Sequence, residues 1–324
     1  MTNQTRSIFA AAAVSIIVAL AAVPLSAQSG TEKQADAPYQ VVETGRGYAR
    51  LQEAVNAIGQ GVGTIRISAG RHQDCAVQEG GDVRYIAAQP GAASLESAVC
   101  EGKAALVLRG RSARIQGLSF GNIRVPDGNG AGIRLEHGDL FVAQAWFHDS
   151  QQGVLTGNDP AASIMIDKST FTRLGTCEGA GGCAHSLYVG DYGALTVTRS
   201  RFEAGRGGHY LKSRSARVAV LSNSFDDSAG KATNYMIDLP AGSTGKIVGN
   251  WFVQGRDKEN YSAFIAVAAE GKVNSSAGLV IDGNDARFAP GVNRISVFVA
   301  DWSGDRLALG QNVLGEGLAR FEKR

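Results

Sequence analysis

Ala184-His185-Ser186-Leu187-Tyr188-Val189-Gly190, Gly208-His209-Tyr210-Leu211-Lys212-Ser213-Arg214 and Asn234-Tyr235-Met236-Ile237-Asp238-Leu239-Pro240 superimpose as three copies of one short segment. Each has an apolar residue at the same place (Leu187, Leu211, Ile237), and each is followed by a second apolar run that closes on a phenylalanine (Phe202, Phe225, Phe252). Side chains alternate between faces along a strand. If these segments are stacked strands with the aliphatic residues inside, Tyr188, Lys212 and Asp238 form one outward column and Gly190, Arg214 and Pro240 the next.

The phenylalanine marker extends in both directions, through Phe120, Phe147, Phe171, Phe202, Phe225 and Phe252. The mean interval of about 26 residues suits a coil of three short strands joined by turns, repeated along an axis. Two residues before the marker stand Asn223 and Asn250, continued by Asn284 and Asn312. Amides stacked at the strand spacing of ~4.8 Å can hydrogen-bond from coil to coil, so this column reads as a structural ladder. A β-sandwich of the same short strands is the competing fold. It needs two-residue hairpins, and Asn129-Gly130 is one of few such signals.

At the start of the repeating part, Leu51, Ala54, Val55 and Ile58 have helical spacing, ended by Gly59, Gly61 and Gly63; Thr64 to Ser68 reads as a strand and Ala69-Gly70 as a turn. An open first coil would recruit other chains, so an amphipathic helix across it serves as a cap. The run Leu51 to Ile58, Thr64 to Ile67 and Ala69-Gly70-Arg71-His72 resembles the cap and first coil of right-handed parallel β-helix proteins of the pectate lyase type. The fold expected is all-β, a single right-handed parallel β-helix with an N-terminal capping helix. It spans residues 47–324, after a signal peptide over 1–27 and a polar leader over 28–46, with residues 291–324 forming a last coil and a tail from Gly317.

The signal peptide rests on Arg6, the apolar run Ile8 to Val23 and the small-residue end Ser26-Ala27; no other stretch is apolar and long enough to span a bilayer. The mature chain is therefore expected in the periplasm or outside the cell, away from membranes and monomeric. Losing residues 1–27 removes Arg6 alone from the 32 basic and 30 acidic side chains, and a near-neutral chain argues against nucleic acid as a partner. Four cysteines in an exported chain read as two disulfides. Cys75 and Cys100 lie one coil apart, and Cys177 and Cys183 bracket the loop Glu178 to Gly182.

Charge is uneven locally: Arg199, Arg201, Arg206, Lys212, Arg214 and Arg217 fall close together with Glu203 as the only acid among them. This run reads either as a solvated rim or as an anion-binding groove. Lys212 and Arg214 share a strand face, and a lysine among cations loses its proton more easily, as abstraction of a proton beside a carboxylate requires. The arginine would stay charged and clamp that carboxylate. Asp238 paired with Lys212 would instead keep the ammonium charged. His185, His209 and Tyr235 fall in register, either as a stacked corner ladder or as part of the site, and His148 lies near a strand start.

Polysaccharide lyases on the resembled fold use a basic residue on an outward strand face, often with calcium bridging the substrate acid. The likeness implies β-elimination on a uronic acid polymer. Lys212 would be the base, Arg214 the clamp, Tyr188 or His209 the proton donor and His185 the orienting group, with Arg206, Tyr210, Tyr235 and Asp238 touching substrate. Calcium has weak support, since Asp191, Asp226, Asp227 and Asp238 form no evident oxygen cage, and the sequence requires no other cofactor. A glycoside hydrolase would need two carboxyl groups across the bond, for which Asp226-Asp227 is the adjacent pair. A non-catalytic glycan-binding module would use Tyr188, Tyr192, Tyr210, Tyr235, Trp251 and Tyr261 as stacking surfaces.

Overall fold

The computed structural model describes residues 1–2, 37–178 and 182–324, and the chain divides into a short unit over residues 1–33 and a main unit over residues 34–324. The signal peptide and the first part of the leader lie outside the described residues. The main unit is a parallel β-helix. Three sheets run its length, one of 12 strands and two of 10, and within each sheet the equivalent strands of successive coils pair in parallel. Around the middle, Tyr192–Thr198, Arg217–Leu221 and Thr244–Val248 belong to the first sheet and Arg201–Glu203, Ser224–Asp226 and Trp251–Gln254 to the second. Leu187–Val189, Leu211–Ser213, Ile237–Leu239 and Ala263–Val267 belong to the third.

The inward phenylalanines form one continuous stack. Ring centroids from Phe120 through Phe252 are 5.0, 4.9, 4.6, 4.9 and 5.0 Å apart with nearly parallel planes. That repeat equals the spacing of hydrogen-bonded strands, so each added coil extends the core by one ring. The asparagine column hydrogen-bonds as expected: Asn223 Nδ2 donates to Asn250 Oδ1 (3.0 Å), Asn250 to Asn284 (3.0 Å) and Asn284 to Asn312 (2.8 Å). It continues toward the N-terminus through serines that composition did not reveal. The Ser200 amide donates to Asn223 Oδ1 (2.9 Å), and the Ser169 amide to Ser200 Oγ (3.1 Å).

Asn250 accepts both the amide and the side-chain NH2 of Asn223 while donating to the Val220 carbonyl. Asn250→Ala therefore removes four side-chain hydrogen bonds and leaves the buried Asn223 backbone amide without its side-chain acceptor, a loss worth roughly 1–3 kcal/mol for an unsatisfied buried group. The expected outcome is a clear fall in the denaturant midpoint, and an unchanged midpoint would show that the column carries no load.

Helix Leu51–Ile58 covers the first coil, burying Leu51, Ala54 and Val55. Its first amide, from Leu51, donates to Asp74 Oδ2 at 2.8 Å, so the coil it covers also caps it. Two expectations change here. Residues expected in a polar leader form strand Tyr39–Val41, which pairs antiparallel with Val62–Ile67 and with Arg46–Tyr48 and closes the first sheet's open edge. The C-terminal tail is also ordered: Leu318–Lys323 is a strand paired in parallel with Ser296–Asp301. Both differences have one cause, since a backbone edge left bare carries unpaired amides and carbonyls. Disulfides join Cys75 to Cys100 and Cys177 to Cys183.

Candidate functional site

The third sheet brings the three quoted segments into register, with Tyr188 beside Lys212 and Lys212 beside Asp238. Leu187, Leu211 and Ile237 point into the core and are fully buried, which turns their neighbours outward. Lys212 and Asp238 are nonetheless largely covered, because the turn after Ala263–Val267 folds over them and delivers Glu270.

Glu270 organises the site, and no sequence signal pointed to it. Its Oε1 lies 2.5 Å from Lys212 Nζ, and its Oε2 accepts from the Arg214 guanidinium. Arg214 Nε in turn donates to the Tyr188 hydroxyl at 3.0 Å. On its other side Lys212 Nζ lies 3.5 Å from Asp238 Oδ2, which is also 3.4 Å from His209 Nε2. The charged groups in contact with Lys212 are therefore carboxylates. That overturns the reason for expecting a readily deprotonated amine, which was a lysine crowded by cations.

Burial pushes the Asp238 carboxyl up to about 6, with Lys212 opposing the shift and Glu270 adding to it. For Glu270 burial works against the charge, but hydrogen bonds from Lys212 and Arg214 outweigh it and hold the carboxyl below its ordinary value. His185 is pushed down to about 3 by burial and by Lys212, and His209 falls well below its usual range for the same reasons, with His185 adding to its shift. Both imidazoles are neutral at physiological pH.

The hydrogen bonds fit that state. His185 Nδ1 accepts from the His209 backbone amide (3.0 Å) and lies 3.3 Å from His209 Nδ1, so it is the acceptor of the pair. His209 Nε2 is the ring nitrogen that faces Asp238 Oδ2, at 3.4 Å. Asp238 Oδ1 is buried without a hydrogen-bond partner among the described residues. The rings of His185, His209 and Tyr235 follow one another with centroids 4.8 and 5.7 Å apart and planes tilted by 55° and 45°, and the Tyr235 hydroxyl accepts from Asn260 Nδ2 at 2.9 Å.

Two expected substrate contacts lie elsewhere. Tyr210 points inward, fully buried, and its hydroxyl donates to Asp227 Oδ1 at 2.7 Å. It precedes strand Leu211–Ser213 at a corner, where strict alternation no longer applies. Arg206 reaches Asp149 (3.3 Å) rather than the Lys212 cluster. The basic run does not form one groove: Arg199 pairs with Asp167, and Arg201 with Glu203 and Asp226, around different faces of the helix. His148 ends strand Trp146–His148 of the second sheet, away from a strand start. Asp226 and Asp227 are both engaged, the first with Arg201 and the second with Lys258. A groove continues from Tyr188 along the third sheet as a cavity of about 430 Å³, with Lys103, Arg134, Asn129, Asn158 and Thr156 in its walls.

No family model matches the chain, and no curated protein matches it. Among solved structures it is similar to a pectin methylesterase from Aspergillus niger in deglycosylated form, at 8% identity with a TM-score of 0.45, over 85% of this chain and 87% of that one. It is also similar to ORF18 of Geobacillus virus E2, at 14% identity with a TM-score of 0.43, over 84% of this chain and 56% of the viral one. Likeness at this level carries nothing about activity.

Proposed function

We propose that this chain acts on an acidic polysaccharide, gripping a uronate carboxylate between Lys212 and Arg214 and cleaving the adjacent bond by β-elimination. The observation that carries this reading is that the two cations already hold the two oxygens of one carboxylate, that of Glu270. A sugar acid presents the same pair of oxygens, and Glu270 sits on an exposed turn from which it can be displaced. With its charge neutralised by the clamp, the substrate acid loses its α-proton more easily. Asp238, ionised above about pH 6, accepts that proton. The bond to the leaving oxygen breaks, a carbon–carbon double bond forms in the ring, and the Tyr188 hydroxyl, oriented by Arg214, returns a proton to the leaving oxygen.

One observation favours a second reading, hydrolysis. Asp238 and Glu270 flank a single ammonium with their carboxyl groups shifted in opposite directions, the pattern of an acid and its partner base. The two readings predict opposite pH limbs. With Asp238 as base, kcat/KM rises through about pH 6 and stays high; with Asp238 as acid it falls through the same point. Glu270→Gln separates them again. Elimination predicts retained turnover with a lower KM, because the internal competitor is weakened, whereas hydrolysis predicts a loss of about 100-fold or more.

Assaying uronic acid polymers for ultraviolet-absorbing unsaturated ends and for reducing ends together decides the case. Unsaturated ends support elimination, and reducing ends alone support hydrolysis. Polymer adsorption without either product leaves a binding module.

A further inference from the structure

We infer that the second sheet carries a separate binding site for a neutral sugar residue, built on Trp146, Glu96 and His148. This inference is independent of the Lys212 cluster, which lies on the third sheet. Strand register sets Ser94, Ser119 and Trp146 in one outward column, and Glu96, Gly121 and His148 in a second. Between them lies a cavity of about 490 Å³, with serines for a floor and the indole at one end.

The polar groups of this cavity are fixed. Glu96 is buried, accepts from Asn122 Nδ2 at 2.7 Å and from Arg71 at 3.4 Å, and lies 3.7 Å from His148 Nε2. His148 is held from behind, its Nδ1 lying 3.1 Å from Asp149 Oδ2, and Asp149 is itself gripped by Arg173. The imidazole lies across Gly121: a Cβ there would come within 2.3 Å of its Cε1, so only glycine lets the ring reach toward Glu96. Trp146 packs against this ring with centroids 4.0 Å apart and remains 40% exposed.

A partly exposed indole beside a fixed carboxylate and amide suits a ligand with an apolar face and a rim of hydroxyl donors, which describes a pyranose. Glu96 disfavours an acidic sugar, and Arg71 disfavours a cation. Register places a second exposed indole, Trp251, four strands further along the Trp146 column, about 19 Å away at the usual strand spacing. A linear glycan lying along the axis can meet both.

Calorimetric titration of the mature chain with cellohexaose, mannohexaose and galactohexaose, with hexagalacturonate as the acidic comparator, tests the assignment. At least one neutral hexasaccharide should bind. Trp146→Ala or Glu96→Gln should weaken it tenfold or more with an unchanged circular dichroism spectrum, whereas Lys212→Met should leave it alone. Trp146→Ala removes a half-exposed ring and Glu96→Gln keeps the side-chain shape, so both variants are expected to fold. The assignment is overturned if none of the three neutral probes binds, if binding survives both substitutions, or if hexagalacturonate binds preferentially and loses that binding in Trp146→Ala.

Discussion

Replacing Lys212 with methionine is expected to weaken binding of a uronic acid polymer by at least about 30-fold and to remove product formation. The ammonium is largely buried and shared between Glu270 and Asp238. Truncating one partner of a buried, hydrogen-bonded charge pair costs about 2–5 kcal/mol, which is roughly 30-fold to several thousand-fold in affinity. Methionine keeps the apolar stem, so packing changes little. Arg214→Met should act in the same direction, and Arg214→Lys should not rescue it. One planar guanidinium serves Tyr188 through Nε and the carboxylate through Nη2, and an ammonium cannot span both. Retention on immobilised polymer and product assays read the effect. Affinity within threefold of the parent in Lys212→Met would remove the clamp from the account.

The largest stability effect is expected at Asp227 and Lys258, both fully buried and 3.2 Å apart. Asp227 accepts from the Tyr210 hydroxyl (2.7 Å), the Thr233 hydroxyl (2.7 Å) and the Gly255 amide (3.0 Å), and Lys258 also donates to the Asn234 carbonyl. Burial lowers the Lys258 pKa against the pull of Asp227. This network ties together the two loops that carry Asn234, Tyr235 and Asn260 beside His209. Lys258→Met leaves a buried carboxylate without its cation and should cost roughly 3–5 kcal/mol.

The double variant Lys258→Met/Asp227→Asn should cost less than the sum of the single ones, because the orphaned charge goes with its partner. Guanidinium unfolding gives the comparison, and limited proteolysis at the loops gives its local counterpart. Additive costs would mean that the two groups do not interact. Tyr210, expected on a sugar-stacking surface, instead belongs to this network, which explains why a tyrosine sits there at all.

Much of the architecture was legible because a parallel solenoid turns distance along the chain into distance along an axis. A column of phenylalanines about one coil apart must stack if the chain coils, and the asparagine column and the Cys75–Cys100 pair follow from the same arithmetic. Alternation within three-residue strands sufficed to set Tyr188, Lys212 and Asp238 side by side. The serine continuation of the ladder was hidden because Ser169 and Ser200 do the work of asparagine with a shorter side chain.

By itself, then, the sequence determined the coil, its ladders and the identity of the outward column. Tertiary structure alone decided what that column meets. Glu270 comes from a turn two coils beyond Lys212, and turns obey neither the period of the strands nor their alternation, so nothing in the strand pattern announces that its carboxylate lies between Lys212 and Arg214. The basic run was scattered for the same reason: residues adjacent in the chain pass around three differently facing sheets within one coil, so Arg199, Arg201 and Arg206 meet acids away from the Lys212 cluster.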